Sequence, residues 1–305
     1  MKTLKKRVER VIEFHFPLLR QWYRNKIGHG EEWQSRKAIL NYYKSNKAAK
    51  QDKDIEAALK YIRKKGIHIF PYPFIEKYTP GKIKIHKDKE CGLKYVIHNG
   101  KRLYYPRETR TMDFQSQYSF LISEQDKQSP HCYETDTFGI EEGDILFDIG
   151  AAEGIYALNV IEKIKKAYLF EVEERWIEAL RQTFKPWADK VEIFNKYMSD
   201  TDSENTAKID TLVKDLKDGS LLLKMDVEGA ESSVIDGAKE TLTSDNFKVK
   251  AVICTYHNRD DHEVLSKKMK GLGYNVETSK GYMLFEHEKR IAPYFRHGLI
   301  YCRKR

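Results

Sequence analysis

Residues 144–159 read DILFDIGAAEGIYALN, and this stretch decides the fold. Ile145, Leu146, Phe147 and Ile149 flank Asp148 as in a strand buried on both faces. Gly150 and Gly154 then bracket Ala151, Ala152 and Glu153, and Ile155, Leu158 and Ile161 give a helical period. Strand, glycine turn and helix in that order mark the place in an open α/β sheet where a ligand sits above the carboxyl end of a strand. Two glycines let the backbone come close to that ligand, because no Cβ blocks the approach.

Working downstream, Ala167–Glu171, Val191–Phe194, Leu221–Met225 and Val249–Tyr256 read as strands. Glu174–Phe184, Leu212–Leu216, Glu231–Leu242 and His262–Met269 read as the helices between them, and Tyr274–Glu277, Met283–Phe285 and Leu299–Cys302 as further strands. This alternation predicts the α/β class, with a doubly wound, mostly parallel, seven-stranded Rossmann-like sheet. Residues 286–298 show no helical period, so the last two strands are expected to form an antiparallel pair at one side.

Upstream, residues 3–26 carry Leu4, Val8, Val11, Ile12, Leu18 and Trp22 among Lys and Arg, the spacing of an amphipathic helix bent at Pro17. Such a helix suits either peripheral contact with an anionic membrane surface or packing on the body of the protein. Helical patterns follow at Arg36–Tyr43, Ile55–Lys64 and Met112–Gln125, and Asn99-Gly100 between two strand-like runs signals a hairpin. The expected division is a basic helical region with the hairpin over 1–110 and the α/β domain over 111–305.

Charge supports that division. Residues 1–65 hold 18 Lys/Arg against 7 Asp/Glu, a formal +11 that leaves −2 of the total +9 for the rest of the chain. The basic character therefore belongs to the N-terminal segment, and no nucleic-acid partner is expected for the body. The four cysteines (Cys91, Cys132, Cys254, Cys302) form no CxxC pair, which argues against a zinc or disulfide framework. No apolar run approaches the roughly 20 residues that span a bilayer, and no signal-peptide pattern opens the chain. A cytoplasmic setting is expected.

The turn departs from the dinucleotide fingerprint G-x-G-x-x-G, having Asp148 where that pattern has its first glycine. A carboxylate beside a pyrophosphate would repel it, whereas it suits a cationic or hydroxyl-bearing ligand. Glu171, at the end of the next strand, can accept hydrogen bonds from both ribose hydroxyls. A ribose without a pyrophosphate, with acidic groups for a sulfonium, points to S-adenosylmethionine as cofactor. Ser199 and Asp200, after the third strand, are placed to reach an adenine edge.

The stretch LLKMDVEGAE at 222–231 ends a strand on Asp226 and Glu228, which strand alternation projects to one side with Lys224, a partner for either carboxylate. His257 falls on the same rim and titrates near neutral pH, which makes it the natural general base; His131 is a second candidate. A variant of this reading holds a divalent metal on Asp226, Glu228 and His257. The preferred reading assigns no metal.

FDIGAAEG (147–154), FEVEE (170–174), YMSD (197–200), KIDTL (208–212), KMDVEGAE (224–231) and TYH (255–257) resemble the FkbM-type methyltransferases, class I enzymes that use S-adenosylmethionine. The resemblance covers about residues 115–305. It implies methyl transfer to a hydroxyl oxygen, often on a sugar of a surface glycan or natural product. By position it implies that Asp148, Gly150, Gly154 and Glu171 hold cofactor, with Ala151, Ala152 and Glu153 between the glycines and Ser199 and Asp200 beyond them. Asp226, Glu228 and His257 would face the acceptor. Where many members carry an acid two residues before the histidine, this chain has Thr255. The rival reading is a non-catalytic module that binds a nucleotide or glycan and docks through its basic helix.

Overall fold

The structure is a computed structural model that describes residues 31–46, 49–216, 218–285 and 292–304. The expected amphipathic helix over 3–26 lies outside the described residues. The chain forms two compact units, each assembled from separate stretches. One comprises Met1–Lys84, Arg110–Cys132 and Lys280–Gly298; the other comprises Ile85–Thr109, Tyr133–Ser279 and Leu299–Arg305.

The second unit is built on a seven-stranded sheet. Its strands are β1 (Ile145–Ile149), β2 (Lys166–Phe170), β3 (Val191–Phe194), β4 (Gly219–Met225), β5 (Phe247–Cys254), β6 (Tyr274–Thr278) and β7 (Leu299–Lys304), in the order β6-β7-β5-β4-β1-β2-β3. The five strands β5-β4-β1-β2-β3 are mutually parallel, and β7 runs antiparallel to both β5 and β6. Every residue of β1 is buried, as an apolar run covered on both faces requires. Its successor β2 lies on one side and β4 on the other, so the strand order reverses at β1. The carboxyl ends of β1 and β4 thus flank the topological switch point. The helices that matter to the site are α1 (Ile155–Val160), α2 (Glu174–Phe184), α3 (Glu231–Asp236) and α4 (Asp261–Gly271).

Three sequence expectations change. The helix expected over 231–242 is two pieces, α3 and Lys239–Thr243, because Asp210 takes the hydrogen bonds at the junction: its N–H donates to the Gly237 carbonyl at 3.0 Å and its carboxylate accepts the Glu240 and Thr241 N–H groups at 3.0 and 2.8 Å. The antiparallel pair at the sheet edge is β6 with β7, whereas Met283–Leu284 pairs with Phe295–Arg296 in the other unit. The hairpin at Asn99-Gly100 (φ 48° and 80°) forms as expected, joining Lys94–His98 to Lys101–Tyr105, but it belongs to the sheet unit. There the Tyr104 N–H donates to Thr183 Oγ1 at 3.0 Å and the Tyr105 ring meets Trp176 of α2 edge-on at 5.2 Å. A single cut at 110 therefore does not separate the units.

The first unit packs helix Glu31–Ser45 against helix Lys53–Lys65 through Ile39, Tyr43, Ala58 and Ile62, with Tyr294 and Phe295 in the same core. Asp52 caps the second helix, its carboxylate accepting from the Asp54 and Ile55 N–H groups at 2.9 and 3.1 Å. Among the described residues, no helix is long and apolar enough to cross a membrane.

Candidate functional site

The turn after β1 is shaped by the protein around it. Gly150 has φ +79°, and a Cβ on it would lie 1.8 Å from the Asp226 carbonyl oxygen. Gly154 has φ +77°, and its Cβ would lie 2.8 Å from Leu180 and Phe184 of α2. Both glycines are thus demanded by close packing, on the residue that follows β4 and on α2. Phe170, the last residue of β2, accepts the Gly150 and Ala151 N–H groups at 3.0 and 2.9 Å, which pins the turn to the neighbouring strand. Between the glycines, Ala152 adopts φ +45°, a conformation that costs a non-glycine residue energy and is held by its surroundings.

Glu171 is what holds it. Buried at the end of β2, it accepts the Ala152 N–H on Oε2 at 2.8 Å, and the Val172 and Glu173 N–H groups on Oε1 at 2.8 and 2.7 Å. A carboxylate offers about four lone-pair positions, so Oε2 retains room for one more donor. Asp148 plays a different part from the one its position suggested. The β1–β4 register sets it opposite Lys224, and its Oδ1 lies 2.9 Å from the Lys224 ammonium, both side chains being almost wholly buried. Lys224 also donates to the Gly150 carbonyl and lies over the Tyr133 ring, 5.4 Å from its centre. Burial works to discharge Lys224, but the Asp148 and Asp226 carboxylates outweigh it and hold the ammonium protonated. Lys224 therefore pairs with Asp148 rather than with Asp226 or Glu228. A neutralised Asp148 no longer argues against a pyrophosphate. Glu153, half-buried in the turn, is pushed up to about 7 by desolvation.

A second cluster stands at the ends of β4 and β5. Tyr133 and Tyr256 donate to the two Asp226 oxygens, to Oδ2 at 2.9 Å and to Oδ1 at 3.0 Å. His257 Nε2 lies 3.4 Å from Asp226 Oδ1 and 3.8 Å from Glu228 Oε2, while its Nδ1 lies 2.9 Å from Glu231 Oε1. Glu228 has φ +53° and is followed by Gly229 at +97°, a turn that leaves its side chain 95% exposed. Burial would lower the His257 pKa, but the nearby Glu231, Asp226 and Glu228 carboxylates raise it above its ordinary 6.5. The structure thus brings Asp226, Glu228 and His257 together, as expected, and adds Glu231, Tyr133 and Tyr256. Glu231 had read as an acid at a helix start; nothing in its local sequence marks a histidine partner. Tyr133 carries no signal at all, lying 93 positions from the residue it touches.

Asp226, Glu231 and His257 each bring one nitrogen or oxygen within 4.8 Å of the others. Glu231 meets Nδ1 and Asp226 meets Nε2, on opposite edges of the ring, so one cation cannot replace both contacts. Ser199 and Asp200 are held against α3: Asp200 Oδ1 accepts from Ser199 Oγ at 3.1 Å and Ser233 Oγ at 3.2 Å. His131 belongs to the first unit, where it is buried with its ring 6.4 Å from that of Phe70.

Residues 192–276 match the methyltransferase FkbM domain. No curated protein matches the chain. Among solved structures, the methyltransferase FkbM from Methylobacillus flagellatus KT aligns at 14% identity, covering 63% of this chain and 54% of its own, with a TM-score of 0.43. This chain thus spans about half the length of that protein. Precorrin-6y C5,15-methyltransferase from Geobacter metallireducens aligns at 15% identity over 54% of this chain and 83% of its own (TM-score 0.37). An rRNA methylase from Streptococcus thermophilus aligns at 13% over 54% and 89% (TM-score 0.33). The two strands that lead to Asp226 and His257, β4 and β5, fall inside residues 192–276, the segment that is similar to the FkbM methyltransferase domain.

Proposed function

We propose that the chain is an S-adenosylmethionine-dependent O-methyltransferase whose acceptor is a sugar hydroxyl of a surface glycan or related natural product. One observation carries the reading. His257 has one ring nitrogen engaged by a buried carboxylate and the other directed to the rim where Asp226 and exposed Glu228 stand. That is the arrangement of a general base with its orienting partners. The residues fit the cofactor: Glu171 keeps one acceptor position on Oε2 for a ribose hydroxyl. When bound, S-adenosylmethionine supplies a methyl group to the acceptor oxygen, the C–S bond pair staying on sulfur and one proton leaving the acceptor.

The chain's own contribution is binding, alignment and proton removal. Asp226, fixed by two tyrosine hydroxyls, accepts a hydrogen bond from the acceptor or from the imidazolium. Glu228 reaches into solvent, where it can hold a second sugar hydroxyl. His257 Nε2 takes the proton as the oxygen reacts. Alignment of the two reactants supplies most of the acceleration, and proton transfer to a positioned base adds about 10²–10⁴-fold. Titration calorimetry with S-adenosylmethionine tests the donor, and no heat of binding would favour a non-catalytic module. Mass spectrometry of surface glycans from a deletion strain tests the acceptor, the expected result being loss of one methyl per modified sugar.

A further inference from the structure

We propose that Tyr133 is a positioning residue shared by both halves of the site: its hydroxyl aims Asp226 at the acceptor, while its ring backs the lysine that holds the cofactor turn. The proposal rests on the methyl-transfer reading for what the two halves bind, and on contacts within the sheet unit for how they are joined. Tyr133 lies in the segment ahead of β1 and is 5% exposed. Its hydroxyl donates to Asp226 Oδ2 at 2.9 Å, and the Tyr256 hydroxyl donates to Oδ1 at 3.0 Å. Each oxygen of one carboxylate thus accepts from a phenol on a different segment, which fixes the plane of the group as well as its place. Tyr256 holds it from the end of β5, and Tyr133 from the segment that leads into β1.

The ring of Tyr133 makes different contacts. Lys224 Nζ lies 5.4 Å from its centre, within the range where an ammonium is attracted to an aromatic face. That ammonium pairs with Asp148 and donates to the Gly150 carbonyl, so the ring backs the ion pair beneath the turn. The Tyr156 ring of α1, the helix that the turn opens, meets the Tyr133 ring edge-on at 5.2 Å. Tyr156 also reaches the next residue along: its hydroxyl donates to Glu134 Oε1 at 3.4 Å, and the same oxygen accepts the Ile140 N–H at 3.1 Å. The segment is therefore clasped to α1 at two successive residues. A ring held this way cannot follow a shift of Asp226 without parting from Lys224 and Tyr156. The aim of the acceptor-side carboxylate is thereby tied to the packing that supports the cofactor turn.

Tyr133→Phe and Tyr133→Leu in the full chain separate the two roles, since the first removes only the hydroxyl and the second removes the aromatic face as well. Calorimetry with S-adenosylmethionine reads the ring. Y133F should keep a dissociation constant within about twofold of wild type, and Y133L should show one at least about threefold higher. Tyr133→Met, which fills space without an aromatic face, replaces Y133L if that variant does not fold. The crystal structure of Y133F reads the hydroxyl, the Asp226 carboxylate being expected to turn from its wild-type plane. Initial rates with methyl-tritiated S-adenosylmethionine and surface glycans from a deletion strain read its consequence. Y133F should lose about ten- to a hundredfold in kcat/KM for the glycan with the KM for S-adenosylmethionine unchanged. An unmoved Asp226 carboxylate or a wild-type rate in Y133F overturns the role of the hydroxyl, and equal donor affinity in Y133F and Y133L overturns that of the ring. Failure of the methyl-transfer reading shows instead in the wild type: a chain that binds donor yet methylates no glycan refutes the acceptor class, and calorimetry with the Y133F structure still decides the role of Tyr133.

Discussion

Lys224 and Asp148 form a buried ion pair across β4 and β1, Nζ to Oδ1 at 2.9 Å, directly beneath the glycine turn. Because Lys224 also donates to the Gly150 carbonyl, the pair couples the stability of the sheet to the shape of the turn. Removing one partner strands the other charge out of water. Lys224→Met should cost about 3–5 kcal/mol in urea unfolding, and the double variant with Asp148→Asn should recover a large part of it. A loss under about 0.5 kcal/mol in the single variant, the size of a surface substitution, would show the pair to be dispensable.

Glu153 makes stability depend on pH. Its folded-state pKa of about 7 stands above the ordinary 4.5, so between those values the unfolded chain is ionised while the folded chain holds a proton. The unfolded state then binds fewer protons, and stability falls as pH rises through this window. Glu153→Gln removes the dependence. Its Tm relative to wild type should climb between pH 4.5 and 7 and level off above, and a constant difference across that range would refute the assignment.

These two residues show what sequence does and does not carry. Strands buried on both faces print as mainly apolar runs, so β1, β4 and β5 were legible despite the charges they carry, and with them the rim bearing Asp226 and His257. The glycines were legible as necessary, but their reason was not: only the β1–β4 register reveals that the Asp226 carbonyl fills the space a Cβ would need. Asp148 looked like a ligand carboxylate because its partner comes from a strand far along the chain. Short pairings such as Met283–Leu284 with Phe295–Arg296 carry no period, and units woven from separate stretches show no boundary in composition. Ser199 and Asp200 were found at a strand end, yet the bonds that occupy them run to Ser233 of α3, a partner no local pattern announces.

His257 should be the residue on which turnover depends most. His257→Ala should lower kcat by about 10²–10⁴-fold while the dissociation constant for S-adenosylmethionine stays within error. In wild type the base must be free of its Nε2 proton. The surrounding carboxylates hold the imidazolium above 6.5, so the rate should rise with pH through a midpoint higher than that value. The same shift acts on folding with the opposite trend: the stabilisation it provides is fully present below pH 6.5 and is lost as pH rises through the folded-state pKa. Normal methylation by the alanine variant would remove His257 from the mechanism.

Glu171 has two duties that one substitution can separate. Its Oε1 ties down the Val172 and Glu173 N–H groups, and its Oε2 holds Ala152 at φ +45° with one acceptor position to spare. Glu171→Gln keeps the size of the side chain and one carbonyl oxygen. The amide settles with that oxygen toward the two N–H groups of Val172 and Glu173, because they outnumber the single one at Ala152. Its NH₂ then faces Ala152 and the ribose position, neither of which can use a donor in place of the lost acceptor. Losing a charged acceptor for a hydroxyl costs about 1.5–3 kcal/mol, so affinity for S-adenosylmethionine should fall on the order of ten- to a hundredfold. Turnover at saturating donor should change far less, since nothing in the Asp226–His257 cluster touches this carboxylate through a hydrogen bond. Calorimetry on the variant decides the point: an unchanged dissociation constant would mean that Glu171 serves the turn alone and that the ribose is held elsewhere.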